Sequence, residues 1–410
     1  MKGWFGFLWE FRRALGFGLL AAFLSSFGQT YFVSLFLEPV SARAGISVGD
    51  FGTGYAAATL VSGLLLVRLG RWLDQAGEAA TFVPLGLVLA TGIGLMAWCP
   101  HPAVLFLAFF IIRFAGQGGM GLVSTSAMAR YFVRRRGMAL SLASLGFPLG
   151  EVCLPGLVLV GTSVVGWQGV LAVVALALVV MVSGPGRWLT ARPLRGDAPL
   201  HEPEGQSAGQ GDAFCWFKDP FFLGVTLITG LTGPFLGTIM FLYQLPIAAE
   251  RGIEPGWVAT SFSVFALVRA GMSLGIGPAI DRWGGRRLFP WGFVPIGVAI
   301  WWYALIPGPM GLVGFYVGVG VFFGSGSIIT AMLAEVYGAR QIGEVRGAGN
   351  AAGVISSALG PFVAGWLLNQ GVSYADIVLG LAWMTVGAVV AAFTLWRVGL
   401  REAVAMTRDG

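Results

Sequence analysis

The chain has 410 residues, of which 56% are hydrophobic and 11% charged, with a mean hydropathy of +0.80 and a formal net charge of +6. Too few polar side chains remain to clothe a water-soluble domain of that length, so a soluble enzyme or binding module is excluded and an integral membrane protein is expected. Cys99, Cys153 and Cys215, with His101 and His201, show neither a disulfide framework nor a metal-ligand spacing, so no metal site is expected.

A helix needs about 20 apolar residues to cross hydrocarbon. Twelve such runs are read, at residues 14–37, 50–70, 81–99, 103–126, 138–160, 167–188, 221–245, 257–279, 288–306, 310–335, 347–369 and 375–397. Arginine and lysine in short loops mark the cytoplasmic side. With both termini inside, 21 basic residues fall in cytoplasmic segments, among them Arg68 and Arg71 at the end of the second span, against Arg43 and Arg251 outside. The positive charge is thus explained by topology and gives no reason to expect a nucleic-acid partner. A bacterial-type inner membrane is the expected location, with membrane lipid as surroundings.

In chain order, residues 1–13 carry Trp4, Phe5 and Trp9 beside Arg12 and Arg13, which predicts a short amphipathic segment at the inner surface. The first span then follows as a true membrane helix, not a cleaved signal peptide. It holds Ser25, Ser26, Gln29, Thr30, Tyr31 and Ser34, too many polar atoms for a lipid-facing helix, so one face is expected to look inward. Bonding of the serines back onto their own helix is the plainer alternative.

The fourth span carries Arg113 near the membrane centre, followed by Gly116, Gln117, Gly118, Gly119 and Gly121, and the fifth carries Glu151 at a similar depth. An ion pair between them is expected, either as fixed helix packing or with Glu151 as a proton-accepting group. Residues 189–219 are rich in Pro, Gly, Gln and charge and predict a cytoplasmic linker. The chain is therefore divided into an N-terminal six-helix bundle over 14–188, a C-terminal one over 220–397, and a cytoplasmic tail over 398–410. The seventh span repeats the polarity of the first through Thr229, Thr232 and Thr238. The eighth carries a third intramembrane charge, Arg269, among Phe265, Leu267, Val268 and Met272; its planar fork suits a carboxylate.

Just beyond, Gly277, Asp281, Arg282, Gly284, Arg286 and Arg287 form G-x-x-x-D-R-x-G-x-R-R, and a weaker copy lies 207 residues upstream at Gly70, Asp74 and Gly77. Two copies of one signal, each after an apolar helix, indicate two related halves. The spacing resembles the loop signature of the major facilitator superfamily. That resemblance implies an all-α membrane fold of twelve helices in two pseudo-symmetric bundles, a cavity between the bundles that opens to either side in turn, and a gating role for Asp74, Asp281, Arg282, Arg286 and Arg287. Arg130 and Arg134 to Arg136 are expected to meet Asp74, and Glu335, Arg340, Glu344 and Arg346 to accompany the second copy.

Within the superfamily, Gly28 to Phe36 (GQTYFVSLF), the Arg134 to Ala139 run and Val268-Arg269-x-x-Met272 resemble the monocarboxylate transporter and oxalate:formate antiporter group. The resemblance implies secondary transport of a small organic anion, above all a monocarboxylate, by proton symport or anion exchange. Arg269, Arg113, Gln29, Tyr31 and Thr238 are the expected solute-binding residues and Glu151 the candidate for proton coupling. Two family features are missing: Phe265 stands where an aspartate is expected, and the only lysines are Lys2 and Lys218. No catalytic residue or cofactor is expected, and no phosphate-binding loop suggests ATP drive. The alternative is a proton-coupled exporter of amphipathic compounds that uses Phe235, Phe241, Trp301, Trp302 and Phe322. Against it, Glu151 interrupts the proline-containing exporter pattern of the fifth span. A non-transporting sensor would need a soluble module for which the linker is too short.

Overall fold

With no water in the bilayer core, every backbone N–H and C=O there must be satisfied within the chain, and helix is the solution this sequence adopts. The computed structural model describes residues 4–98, 101–197 and 218–406, with backbone alone at 4–5, 339–344 and 398–406. Among them there is no strand. Most of the expected linker, Cys99, Cys215, His201 and the side chains of Arg340 and Glu344 lie outside the described residues.

Among the described residues eleven helical runs have the length and apolarity to cross a membrane. One of them, Arg136–Thr190, bends at Gly166 (φ 71°, ψ 164°) and makes two crossings, which gives the expected twelve. In chain order these are α1 (Arg12–Ser34), α2 (Val48–Ala76), α3 (Glu78–Trp98), α4 (Pro102–Tyr131), α5 (136–165), α6 (167–190), α7 (Pro220–Leu242), α8 (Pro255–Gly275), α9 (Gly285–Leu305), α10 (Gly308–Gly338), α11 (Val345–Asn369) and α12 (Tyr374–Arg397). They fall into two compact units, Met1–Gly209 and Gln210–Gly410.

In the first unit, α1 is not one straight helix. It passes through a 3-10 turn at Ser26–Gly28 and an extended Gln29 (φ −76°, ψ 152°) before resuming at Thr30. Opposite lies a π-helical stretch of α4, Ile112–Met120. The two backbones meet at Gly28 and Gly116: a Cβ added to Gly28 would stand 2.6 Å from the Gly116 Cα. Only glycine on both sides permits that approach. On α5, Gly146 and Gly150 likewise admit α1, the latter against the Ser26 Oγ and the Tyr31 hydroxyl.

The charged ends of this unit are tied down locally. The helix Trp4–Glu10 buries Phe7, whose ring packs on Phe11 and Phe132 beneath the Arg135 guanidinium, and leaves Trp9 exposed. Asp197, where the linker begins, accepts the backbone N–H groups of Val133, Arg134 and Arg135. In the second unit Asp219 caps α7 by accepting from Phe221 and Phe222 N–H, and accepts from the Tyr337 hydroxyl at the end of α10.

The second unit is closed by α8 against α10, where Gly320 and Gly324 admit the α8 backbone at Phe265 and Arg269. Phe241 of α7, Phe262 and Phe265 of α8, and Tyr316 and Phe323 of α10 form one aromatic cluster there, with neighbouring centroids 5.1–6.3 Å apart. The Tyr316 hydroxyl is satisfied by Gln244 at 2.9 Å. α7 has its own π-helical stretch, Leu231–Phe235, around Pro234, which cannot donate to the helix ladder.

Candidate functional site

Each unit carries an arginine that the sequence places well within a span, Arg113 in the first and Arg269 in the second, and the two are held differently. Arg113, on the π-helical stretch of α4, is 4% exposed. Its Nε donates to Thr59 Oγ1 at 3.1 Å and its Nη1 to Thr30 Oγ1 at 3.4 Å. The guanidinium carbon stands 5.0 Å from the centre of the Tyr55 ring, and the Tyr55 hydroxyl donates to Thr30 at 3.0 Å. Hydroxyls of α1 and α2 and a ring of α2 thus stand against the cation, alongside the expected ion pair with Glu151. The reason lies in the helix positions. The break in α1 brings Thr30 to the face of α4, and Tyr55 and Thr59 lie one turn apart on the same side of α2.

These hydroxyls and the ring fix the orientation of the guanidinium. The surroundings offer further polar atoms, since the buried Ser26 Oγ and Gln117 Oε1 have no hydrogen-bond partner among the described residues. Gln29 is half-buried and donates to Ser25 Oγ at 3.4 Å, and Tyr31 is buried beside Gly150. Glu151, the next residue on α5, is 7% exposed and belongs to the same interior. Gln29, Tyr31, Arg113 and Glu151 thus occupy one region of the N-terminal bundle, around the broken part of α1.

Arg269 is half-buried on α8, its guanidinium 5.4 Å from the Phe265 ring centre, so the aromatic cluster forms part of its surroundings. Thr238 is buried on α7, donates to the Pro234 carbonyl and lies 3.1 Å from Ser357 Oγ on α11. Other threonines of α7 bond back to their own helix, Thr229 to Val225 and Thr232 to Ile228.

The gating residues divide between the two units. Asp74 accepts from Arg130 at 2.9 Å, as expected. Arg130 also meets Glu78 at 3.2 Å, and the Tyr131 hydroxyl donates to the same carboxylate at 3.3 Å. In the second unit Glu335 of α10 accepts the backbone N–H groups of Gly285 and Arg286, the latter at 2.9 Å. Asp281, Arg282 and Arg287 are exposed, with Arg282 against the Trp283 ring.

Sequence reasoning missed Tyr55 and Thr59 as partners of Arg113, and Glu78 as a buried acid. A signal for the first existed: Tyr55, Thr59 and Ser62 make a polar stripe at helical spacing in an otherwise apolar span, and all three are buried. For Glu78 there was none, because it occupies a position where the motif leads one to expect no acid.

A family model described as Major Facilitator Superfamily matches residues 18–361. Monocarboxylate transporter 13 of Bos taurus is 26% identical over 397 residues, covering 93% of this chain and 86% of its own. Among solved structures, the nucleoside transporter NupG superposes with a TM-score of 0.69 at 16% identity, covering 94% of this chain and 98% of its own. A bacterial homologue of the human lysosomal transporter Spinster superposes with a TM-score of 0.69 at 15% identity, over 93% of this chain and 95% of its own. At such identities the structural likenesses speak for the fold alone.

Proposed function

The chain belongs to the Major Facilitator Superfamily and is a membrane transporter, and we propose that its solute is a small organic anion, a monocarboxylate, moved by alternating access with proton symport or anion exchange. One observation supports this reading: Arg113 is buried and held in place by the Thr59 and Thr30 hydroxyls and the Tyr55 ring, which presents a positioned guanidinium suited to an anionic solute. Arg269 supplies the corresponding charge of the second bundle. The likeness to a monocarboxylate transporter over nearly the whole chain points the same way.

Gln29, Tyr31 and Thr238 supply hydroxyl and amide groups for the remainder of the solute. Glu151 is the coupling group: protonation lets a carboxyl remain in the N-terminal interior at no charge, and release of the proton restores a negative charge that favours departure of an anion. The turns at Asp74 and at Asp281 to Arg287 act as gate elements, so their substitution slows transport more than it alters solute choice.

The test is counterflow of lactate, pyruvate and formate in proteoliposomes. Saturable exchange of at least one, lost in Arg113→Ala and in Arg269→Ala while both variants remain folded, is the expected result. Glu151→Gln should abolish proton-driven uptake and leave exchange intact. Failure of every carboxylate, together with thermal stabilisation by lipophilic cations, would replace this reading with the exporter of amphipathic compounds, which the aromatic cluster around Phe241 favours.

A further inference from the structure

Arg68 is expected from the sequence at the cytoplasmic end of a span, yet α2 continues as helix to Ala76. Its 29 residues extend about 43 Å at 1.5 Å per residue. Hydrocarbon is about 30 Å thick, so the helix is longer than the layer it crosses. Arg68 lies nine positions before the Gly77 turn, about 13 Å from it along the helix, and so stands toward the end of the span on that side. It is exposed on the surface of its bundle, and among the described residues no hydrogen bond, ion pair or ring contact is made by its side chain. A lipid-facing guanidinium near a helix end extends to the headgroup level, where it meets anionic groups.

What lies beside it is a groove of ≈ 330 Å³ between α2, α3 and α4. Leu65, Trp72, Pro84, Val88 and Phe114 line it, and Arg68 is its sole charged wall. Arg68 and Trp72, four residues apart, share one face of α2, with Trp72 on the side nearer the turn. Trp72 and Val88 are exposed, so the groove opens outward from the bundle, where lipid would be. An apolar furrow, one cation at the level where headgroups begin, and an interfacial tryptophan are complementary to an amphiphile with a negative end.

We propose that this groove binds one anionic phospholipid of the leaflet on the side of the Gly77 turn. An acyl chain lies along Leu65, Pro84 and Val88, and the phosphate is held by the Arg68 guanidinium, whose fork matches two phosphate oxygens. Arg71, exposed one turn nearer the surface, adds charge but does not line the groove.

The experiment is native mass spectrometry of the full-length protein in mild detergent, titrated with phosphatidylglycerol or phosphatidylcholine of identical chains. One phosphatidylglycerol should survive activation that strips phosphatidylcholine. Arg68→Gln should weaken its binding about tenfold, the loss of one charge-assisted contact, and Arg68→Lys should weaken it less. Val88→Trp, which fills the furrow and leaves the arginine, should abolish retention. The unfolding midpoints of all three variants without added lipid identify any that fails to fold, and the remaining ones decide. Equal retention of the two lipids by the wild type, or undiminished retention in both Arg68→Gln and Val88→Trp, overturns the proposal. Displacement by glycerol phosphate at equal concentration also overturns it, because the site would then take a free anion and not a lipid.

Discussion

The turn from α2 into α3 and the turn into α9 share a backbone and differ in what holds it. Gly77 (φ 81°, ψ 159°) and Gly284 (φ 78°, ψ 150°) adopt nearly the same conformation, 207 residues apart. Each turn is fastened to the fourth helix of its own bundle, but with opposite polarity. In the first unit the turn brings the acids, Asp74 and Glu78, and α4 brings the base, Arg130. In the second, the turn offers backbone N–H groups at Gly285 and Arg286, and α10 brings the acid, Glu335. The motif that looks degraded in the sequence is thus intact as a backbone turn, and its charges have been redistributed across two helices. What repeats is the left-handed glycine and the neighbour it faces; the chemistry of the clasp is free to vary.

This contrast predicts its largest asymmetry at Arg130. The Glu78 side chain is 1% exposed, so removing its basic partner leaves a buried carboxylate uncompensated. Loss of one member of a fully buried pair costs about 3–5 kcal/mol. Arg130 is 41% exposed and Tyr131 still donates to Glu78, so about 2–3 kcal/mol is expected for Arg130→Ala. Adding Glu78→Gln should recover most of it by neutralising the stranded group. Unfolding midpoints of the single and double variants in detergent measure both; a double variant no better than Arg130→Ala would mean that Glu78 is not charged against Arg130.

The glycines test the other half of the comparison, the claim of a shared backbone. Their φ and ψ lie in a region that other residues enter at about 1–3 kcal/mol. Gly77→Ala and Gly284→Ala should therefore be destabilising by similar amounts. A Cβ on Gly77 would meet nothing within 4 Å, whereas on Gly284 it would stand 3.4 Å from Glu335 Oε1, an ordinary contact. A large difference between the two variants would show that the turns are not equivalent in solution.

Glu335→Ala should cost about 1–2 kcal/mol, the range for loss of a side-chain cap on helix N–H groups. That is less than Arg130→Ala, since the groups left behind are neutral and close to water. Glu335→Gln should retain part of the stability, because its amide oxygen still accepts. If Glu335→Ala proves the costlier of the two, the polarity argument fails.

The legibility of this molecule in its sequence follows the same division. Helix number and sequence order were readable because hydrocarbon admits few alternatives to a 20-residue apolar run. The ends were less readable: α2 extends to Ala76 because Arg71 to Gln75 remain helical until Gly77 allows the reversal, and polarity alone does not mark that point. Arg113, Glu151 and Arg269 stood out as charges in apolar runs. The hydroxyls and ring that meet Arg113 did not, because such contacts depend on helix rotation. Thr30 reaches Arg113 only through the 3-10 turn and extended Gln29 of α1, and no local residue pattern announces a break that the packing of Gly28 on Gly116 accompanies.

The smallest effect belongs to Asp74. Its side chain is 73% exposed, its partner Arg130 is 41% exposed, and pairs of this kind contribute about 0–1 kcal/mol. Asp74→Asn should therefore leave the unfolding midpoint nearly unchanged at 150 mM salt, near physiological ionic strength. It should nevertheless slow transport, if breaking and remaking this clasp accompanies the change between inward- and outward-open states. Salt separates the two contributions: the exposed pair is screened over a Debye length of about 8 Å at 0.15 M and about 3 Å at 1 M. In high salt the wild-type rate should approach that of Asp74→Asn, whereas Glu335→Ala should differ from the wild type at both salt concentrations, its contact being a direct cap on backbone N–H groups. Convergence of both variants with the wild type in high salt would mean that the two clasps are alike, and that the polarity seen in their geometry does not govern their energetics.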